Sequence, residues 1–436
     1  MELRRRTLRR RVRALFIRIL TGTCAIPVLF TGLAGSTASA AGPALSVSVR
    51  GNHLVDAAGN TLVLHGVNRS GTEYACIQGW SIFDGPSDAA SVQAIAAWHT
   101  NVVRVLLNED CWLGINGVSA SYGGQAYRTA IVNYVNLLNA NGQYAILDLN
   151  WNAPGTTPAT SWGGMPDEDH APAFWSSVAS TFKANKAVLF DLFGEPYPDN
   201  NGDTTAAWTC WKNGGTCPGV AYPAAGMQEL VNTVRATGAT NVIMIGGVQY
   251  SGTLDQWHTY APTDPAGQLA ASFHTYDFTA CTTVSCWNAW LAGIGNVPLI
   301  TSEFGETDGT ATYINSYMTW ADAHGVSYVA WTWNLWGCGG AISLITDFTG
   351  TPCPGYGAGY KNHLAALAAA APTTTVAPTT VATTTTTAPP PTTTTVPAVT
   401  TTTVPITTTT TTTMPVVTTT TAPTTTTTVW HRHHHH

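Results

Sequence analysis

The chain has 436 residues, 44% hydrophobic and only 10% charged, with a formal net charge of −6. That is enough for one large folded domain or two ordinary ones with a real core. The first forty residues hold eight Arg and one acid, Glu2, so removing them leaves ten basic against twenty-three acidic side chains, a net charge near −13 that excludes nucleic acid as a partner.

Residues 1–40 read as a secretory signal peptide. Arg4 to Arg18 make a basic start, an apolar stretch follows through Leu33, and the small residues Ala38-Ser39-Ala40 precede a cut near Ala41. An uncleaved anchor is the alternative, but Arg18 and Pro27 interrupt the apolar run, and the unbroken part is shorter than the roughly 20 residues a span needs. The expected location is extracellular or at the cell wall, without stable membrane insertion. Cys24 leaves with the signal, and the remaining eight cysteines are an even number in an exported chain, which points to disulfides. Close spacing suggests Cys210 with Cys217, Cys281 with Cys286 and Cys338 with Cys353, which leaves Cys76 for Cys111. A zinc site is disfavoured because no Cys-x-x-Cys pair occurs.

The predicted folded part, residues 42–371, opens with a hairpin in "LSVSVRGNHLVD" turning at Gly51-Asn52. Eight apolar strand-like runs follow: Leu62 to Val67, Val102 to Leu107, Tyr144 to Leu149, Val188 to Phe193, Val242 to Ile245, Leu269 to His274, Pro298 to Ser302 and Tyr328 to Trp333. Between them "DAASVQAIAAWH", "YRTAIVNYVNLLNANG" and "PAAGMQELVNTVRATG" have helical spacing, two with Gly at the expected stop. Eight β/α units predict an α/β fold, a (β/α)8 TIM barrel. A doubly wound open sheet is the runner-up, but no Gly-x-Gly-x-x-Gly turn follows the first strand. Residues 372–428 are a Thr/Pro-rich tract with almost nothing apolar to bury, expected to be a disordered linker or stalk, and the His-rich end 429–436 is either a tag or a genomic tail.

In such a barrel the active site forms at the C-terminal ends of the strands. Those ends carry His65 to Arg69 with Asn68, then Arg104, Asp148 to Trp151 with Asn150, Gly194 and Glu195, His274 and Tyr276, Glu303, and Trp331 to Asn334 with Trp333. One polar residue at a strand end is usually structural; their coincidence on one rim is not. Glu195 and Glu303, on strands four and seven, are the informative pair. Hydrolysis of a glycosidic bond needs one protonated carboxyl to protonate the leaving oxygen and one ionised carboxylate to attack the anomeric carbon. Arg104 is placed to hold one carboxylate charged and Tyr276 to orient it. Trp80, Trp112, Trp151, Trp162, Trp211, Trp257, Trp333 and Trp336 fall mostly in βα loops, where about half are expected to stack on sugar rings, Trp333 foremost.

These residues lie in "LHGVNRSGTEYAC", "NVVRVLLNEDCW", "ILDLNWNAPG", "VLFDLFGEP", "ASFHTY", "LITSEFGE" and "VAWTWN", and with them the chain resembles glycoside hydrolase family 5 over residues 42 to 367. The resemblance implies Glu195 as acid/base, Glu303 as nucleophile, Arg104, His274, Tyr276 and Asn150 in support, and Asn68, Trp151, Gly194 and Trp333 toward the substrate. It also implies retention through a glycosyl-enzyme, with no metal and no cofactor. Two positions depart from the family pattern: Gly194 stands where an Asn amide usually binds the sugar 2-hydroxyl, and Asn150 where a His is usual. Either Asn150 or another amide reaches the vacant place, or the substrate lacks that contact, or catalysis is crippled. A kink needing positive φ would also explain the glycine. The reading is a secreted, monomeric retaining β-glycosidase acting on a polysaccharide, an endo-β-1,4-glucanase. Alternatives are a hydrolase of mannan or another β-glucoside, and a weakened carbohydrate-binding surface protein.

Overall fold

The computed structural model describes residues 44–340 and 342–370. The expected signal peptide, Thr/Pro tract and His-rich end lie outside the described residues.

The apolar runs become eight parallel strands: β1 His65–Arg69, β2 Val102–Asn108, β3 Tyr144–Trp151, β4 Val188–Asp191, β5 Ile243–Gly246, β6 Leu269–Tyr276, β7 Leu299–Gly305 and β8 Ser327–Ala330. Each pairs with the next and β8 pairs with β1, closing a (β/α)8 barrel. Val, Ile, Leu and Phe dominate the strands because both faces are covered, one by the outer helices and one by the barrel interior.

Along each strand the inward phase changes character halfway. Val102, Ile146, Leu189, Met244, Ala270, Ile300 and Val329 form one apolar layer, and the hairpin of Ser48–Arg50 and His53–Val55 lays Val47 and Leu54 against it. That end of the barrel is plugged. Two residues further on, the same phase brings Asn68, Arg104, Asp148, Asp191, Ser272 and Ser302 inward, all buried. Asn68 stands opposite Arg104, and Asp148 opposite Asp191, in the strand register. Polar side chains gathered at this depth bond to one another and leave the C-terminal mouth as the chemically active end.

Three expectations need correction. The predicted first strand, Leu62 to Val67, is two elements: Thr61–Leu62 joins the hairpin as its third strand, and the barrel strand starts at His65. The Asn101 side chain makes the switch by accepting from the His65 N–H and donating to the Val63 carbonyl, both at 2.8 Å. The helical stretch from Pro223 begins as a short strand, Pro223–Ala225, paired with Gly214–Thr216, and the helix runs over Met227–Ala236. The eighth strand ends at Ala330, because the Thr332 backbone turns to pair with Ile342 and Leu344. The helices with glycine stops end as expected, with Gly142 and Gly238 at φ of 77° and 83°.

Four disulfides join Cys76–Cys111, Cys210–Cys217, Cys281–Cys286 and Cys338–Cys353. All eight cysteines lie in the segments that follow barrel strands, so the crosslinks restrain the loops around the open mouth.

Candidate active site

Arg104 stands at the centre of the polar layer, fully buried on β2. Its Nη1 donates to Glu303 Oε1 at 2.7 Å and to Asn68 Oδ1 at 3.0 Å, and its Nε donates to Asp191 Oδ2 at 2.9 Å. Nη2 forms an ion pair with Asp148 Oδ2 at 3.0 Å. One guanidinium thus faces three buried carboxylates. Burial works against its charge, but Asp148, Asp191 and Glu303 outweigh burial and push its pKa up. The deficit of positive charge falls on the aspartates: burial, only partly offset by Arg104, raises Asp191 to about 6 and Asp148 well above its usual range.

Glu303 lies on β7, just past an irregularity between Phe273 and His274 in the β6–β7 pairing. Such a bulge re-aims side chains, here bringing His274 level with Glu303. Besides Arg104 on Oε1, Glu303 accepts from the Tyr276 hydroxyl on Oε2 at 2.8 Å. Both oxygens are tied, and the side chain is only 5% exposed.

Glu195 sits beyond β4 on a segment fixed by its backbone: the Gly194 N–H donates to the Leu149 carbonyl at 3.2 Å, and the Ser251 hydroxyl donates to the Gly194 carbonyl at 2.7 Å. Its side chain is 25% exposed, the more open of the two glutamates. Loss of hydration raises it to about 7, Arg104 pulling the other way. His274 Nδ1 lies 3.1 Å from Glu195 Oε1 and 3.5 Å from Glu303 Oε2, and an oxygen of each glutamate falls within 4.8 Å of the other. Burial drives His274 down to about 4, Glu303 opposing and Arg104 reinforcing, so at neutral pH the imidazole adds no charge between the two acids.

The remaining sequence-derived residues divide. Trp151 and Asn150 are half-buried at the end of β3. Asn150 Nδ2 donates to Asp148 Oδ2 at 3.0 Å. Asn68 is fully buried, its amide donating to the Ser302 and Val329 carbonyls and its oxygen accepting from Arg104 Nη1. Gly194 is buried with its N–H donated to the Leu149 carbonyl, and it does not take the left-handed φ that a kink would need. Trp333 is fully buried against Trp98, with ring centroids 5.0 Å apart, and is a core residue. The early end of β8 is the cause, since it leaves Trp331 half-buried, 5.8 Å from the exposed Trp336.

Among the other tryptophans, Trp112, Trp211 and Trp257 are buried, while Trp80 and Trp162 stand 46% and 44% exposed. Tyr74 gathers Trp80, Trp151 and Trp336 at centroid distances of 6.2, 6.0 and 6.2 Å. A second aromatic pair, Tyr197 and Tyr250 at 4.6 Å, flanks Glu195. Sequence reasoning passed over Asp191, Tyr74, Tyr197 and Tyr250, and put Trp333 ahead of its rim neighbour Trp331. Asp191 carried a usable signal, since it shares the inward phase of Leu189 two residues before it.

The family model described as Cellulase (glycosyl hydrolase family 5) matches residues 55–336, and the chain belongs to that family of glycoside hydrolases. It is 25% identical over 340 residues to a mannan endo-1,4-beta-mannosidase of Streptomyces lividans, covering 74% of each chain. It is also 25% identical over 311 residues to endoglucanase 1 of Robillarda sp. (strain Y-20), covering 62% of this chain and 71% of that one. Among solved structures, a beta-glucanase from Saccharophagus degradans in complex with cellotetraose shares the fold at a TM-score of 0.58 and 20% identity, covering 74% of this chain and 94% of that one. Among the described residues no helix is long and apolar enough to cross a membrane.

Proposed function

We propose that the protein is a secreted endo-acting β-glycanase that cleaves β-1,4-linked glucan with retention of configuration, with Glu195 as acid/base and Glu303 as nucleophile. The observation that carries this reading is the meeting of the two glutamates beside one imidazole nitrogen, with oxygens within 4.8 Å. A retaining enzyme holds its carboxyl groups about 5 Å apart, whereas inversion needs about 6.5–9.5 Å to admit a water. Their surroundings also divide the labour. Glu195, raised to about 7, keeps its proton at mildly acidic pH, as a general acid must. Glu303 accepts from Arg104 and Tyr276, which hold both its oxygens in place.

Protonation of the leaving oxygen by Glu195 and attack by Glu303 would give a glycosyl-enzyme. The Glu195 carboxylate would then take a proton from water as that intermediate is hydrolysed. The half-exposed and exposed aromatics around the mouth suit a polymer that lies across the barrel. The four disulfides support export to an oxidising compartment. Both carboxylates come from one chain, which supports action as a monomer.

Mannan is a second reading, favoured by the likeness to the Streptomyces lividans mannosidase. Proton NMR of fresh digests of cello- and manno-oligosaccharides tests both points. Initial release of the β-anomer from cellopentaose is expected. Initial release of the α-anomer would overturn retention, and turnover of mannopentaose alone would move the substrate to mannan.

A further inference from the structure

The geometry points to the turn 249–251, just past β5, as the element that positions the acid/base: it grips the peptide on both sides of Glu195 and the β6 residue beside it, and so sets where the Glu195 proton is delivered. The inference rests on the reading of Glu195 as the acid of a glucanase. Three bonds make the grip. The Tyr250 N–H donates to the Pro196 carbonyl at 3.0 Å, and the Ser251 hydroxyl donates to the Gly194 carbonyl at 2.7 Å. The Ser251 carbonyl accepts from the His274 N–H at 2.8 Å, and His274 in turn places Nδ1 3.1 Å from Glu195 Oε1.

The backbone of the turn is unusual. Gln249, Tyr250 and Ser251 all lie in the left-handed region, with φ of 58°, 58° and 57°. A side chain crowds its own backbone there, so residues other than Gly, Asn and Asp seldom enter it. The facing turn 199–201 is left-handed too, at φ of 51°, 53° and 67°, but its sequence, Asp199-Asn200-Asn201, tolerates that conformation. Gln-Tyr-Ser does not, so contacts must hold it. Gln249 Nε2 donates to the Asn201 carbonyl at 3.0 Å, the Gly252 N–H returns to the Gln249 carbonyl at 2.9 Å, and Ser251 is fully buried. The glycine that ends β5 makes the room, since a Cβ on Gly246 would lie 2.1 Å from Ser251 Oγ. Backbone kept in a sparsely populated region by many contacts is concentrated at sites where geometry serves function.

Glu195 needs such a grip more than Glu303 does. Glu303 is bonded on both oxygens, by Arg104 and Tyr276. Among the described residues, His274 is the one side chain within hydrogen-bond distance of the Glu195 carboxyl. The place of Glu195 therefore depends on its own peptide, and the turn holds that peptide at residues 194 and 196. The same turn seats the Tyr250 ring 4.6 Å from Tyr197, so one piece of backbone sets both the acid and the aromatic pair that flanks it. A displacement of about 1 Å in a reacting group can cost about 10²-fold in rate.

Leaving-group dependence separates positioning of the acid from support of the fold. Phenyl β-cellobioside needs a proton on its departing oxygen, whereas 2,4-dinitrophenyl β-cellobioside hardly does. Ser251→Ala should lower kcat/KM about 10-fold for the first and less than about 2-fold for the second. Tyr250→Ile, β-branched and unfit for the left-handed region, should change the ratio likewise; Tyr250→Asn fits that region, lacks the ring equally, and should keep the ratio of the parent. Carbon-13 NMR of labelled glutamate, with Glu195→Gln to assign the signal, follows the acid without substrate. Loss of hydration raises Glu195 to about 7 in the parent, and in Ser251→Ala the titration should move down toward the ordinary carboxyl range as water reaches it. Arg104, His274, Tyr276, Glu303, Tyr197 and Tyr250 are the charged and titratable groups that face it from the strands and loops, and Ser251→Ala replaces none of them. An unchanged ratio or an unchanged Glu195 titration in Ser251→Ala would overturn the proposal, as would equal shifts in Tyr250→Ile and Tyr250→Asn. A parent that cleaves neither cellobioside would instead overturn the glucanase reading, and the NMR titration would then decide the role of the turn by itself.

Discussion

Asn150 stands where a side chain on Gly194 would begin: its Nδ2 lies 3.0 Å from the position a Cβ would take there. Arg104 Nη2 and Asp148 Oδ2 are each 3.1 Å from the same point. The missing family Asn is thus a place already filled, and the Asn150 amide is the polar group next to it. Sequence alone suggests that Gly194→Asn restores a useful donor. Packing reverses the sign, because the new Cβ must displace Arg104 or Asn150, and Arg104 also holds Glu303. Gly194→Asn is expected to lower kcat/KM on cellulosic substrate about 10-fold, and Gly194→Asn with Asn150→Ala to recover most of that loss. Steady-state kinetics of the three proteins checks this, and a gain in the single variant would refute it.

Replacement of either glutamate should separate their roles. Glu303→Ala is expected to stay folded by circular dichroism and lose at least about 10³-fold in kcat. Azide should rescue Glu303→Ala as an α-glycosyl azide and Glu195→Ala as a β-glycosyl azide, because the small anion attacks the free sugar face in the first case and the glycosyl-enzyme in the second. NMR of the azide products reads the assignment directly.

The pH dependence follows from Glu195. As proposed acid it must hold its proton, so kcat/KM should fall as pH rises through about 7. Its folded pKa lies above the unfolded value, so its ionisation disfavours the fold as pH climbs from about 4.5 to 7. Glu195→Gln should therefore match the parent in stability near pH 4 and exceed it at pH 8, by at most about 3 kcal/mol. Urea titrations at the two pH values check the sign; a variant less stable than the parent at pH 8 contradicts it.

Arg104→Met removes the one cation that, among the described residues, faces Asp148, Asp191 and Glu303. The expected cost is about 3–5 kcal/mol at pH 8. Lowering the pH lets the buried aspartates take protons, so the loss should shrink by pH 5. Chemical denaturation at both pH values measures it.

The two neighbouring tryptophans should behave oppositely. Trp333→Ala empties a core site beside Trp98 and should destabilise the fold by about 3–5 kcal/mol. Trp331→Ala should leave stability nearly unchanged and raise KM for oligosaccharides. Thermal unfolding set beside Michaelis constants distinguishes them.

The sequence by itself determined the barrel, because eight apolar runs interleaved with helical spacing allow few other closures, and it put Glu195 just past β4 and Glu303 toward the end of β7. The period of two along β3 and β4 even encoded the inward turn of Asp148 and Asp191, although nothing local said that both would meet Arg104. Tertiary structure alone decided the rest. Whether Trp331 or Trp333 faces the mouth depends on Thr332 leaving β8 to pair with Ile342, more than the local pattern contains. Asn68 became a support for Arg104, and Asn150 a neighbour of Gly194, through contacts between strands distant in the chain. A strand's period fixes which way a side chain points; only closure of the barrel fixes what it meets, and the proposed chemistry depends on those meetings.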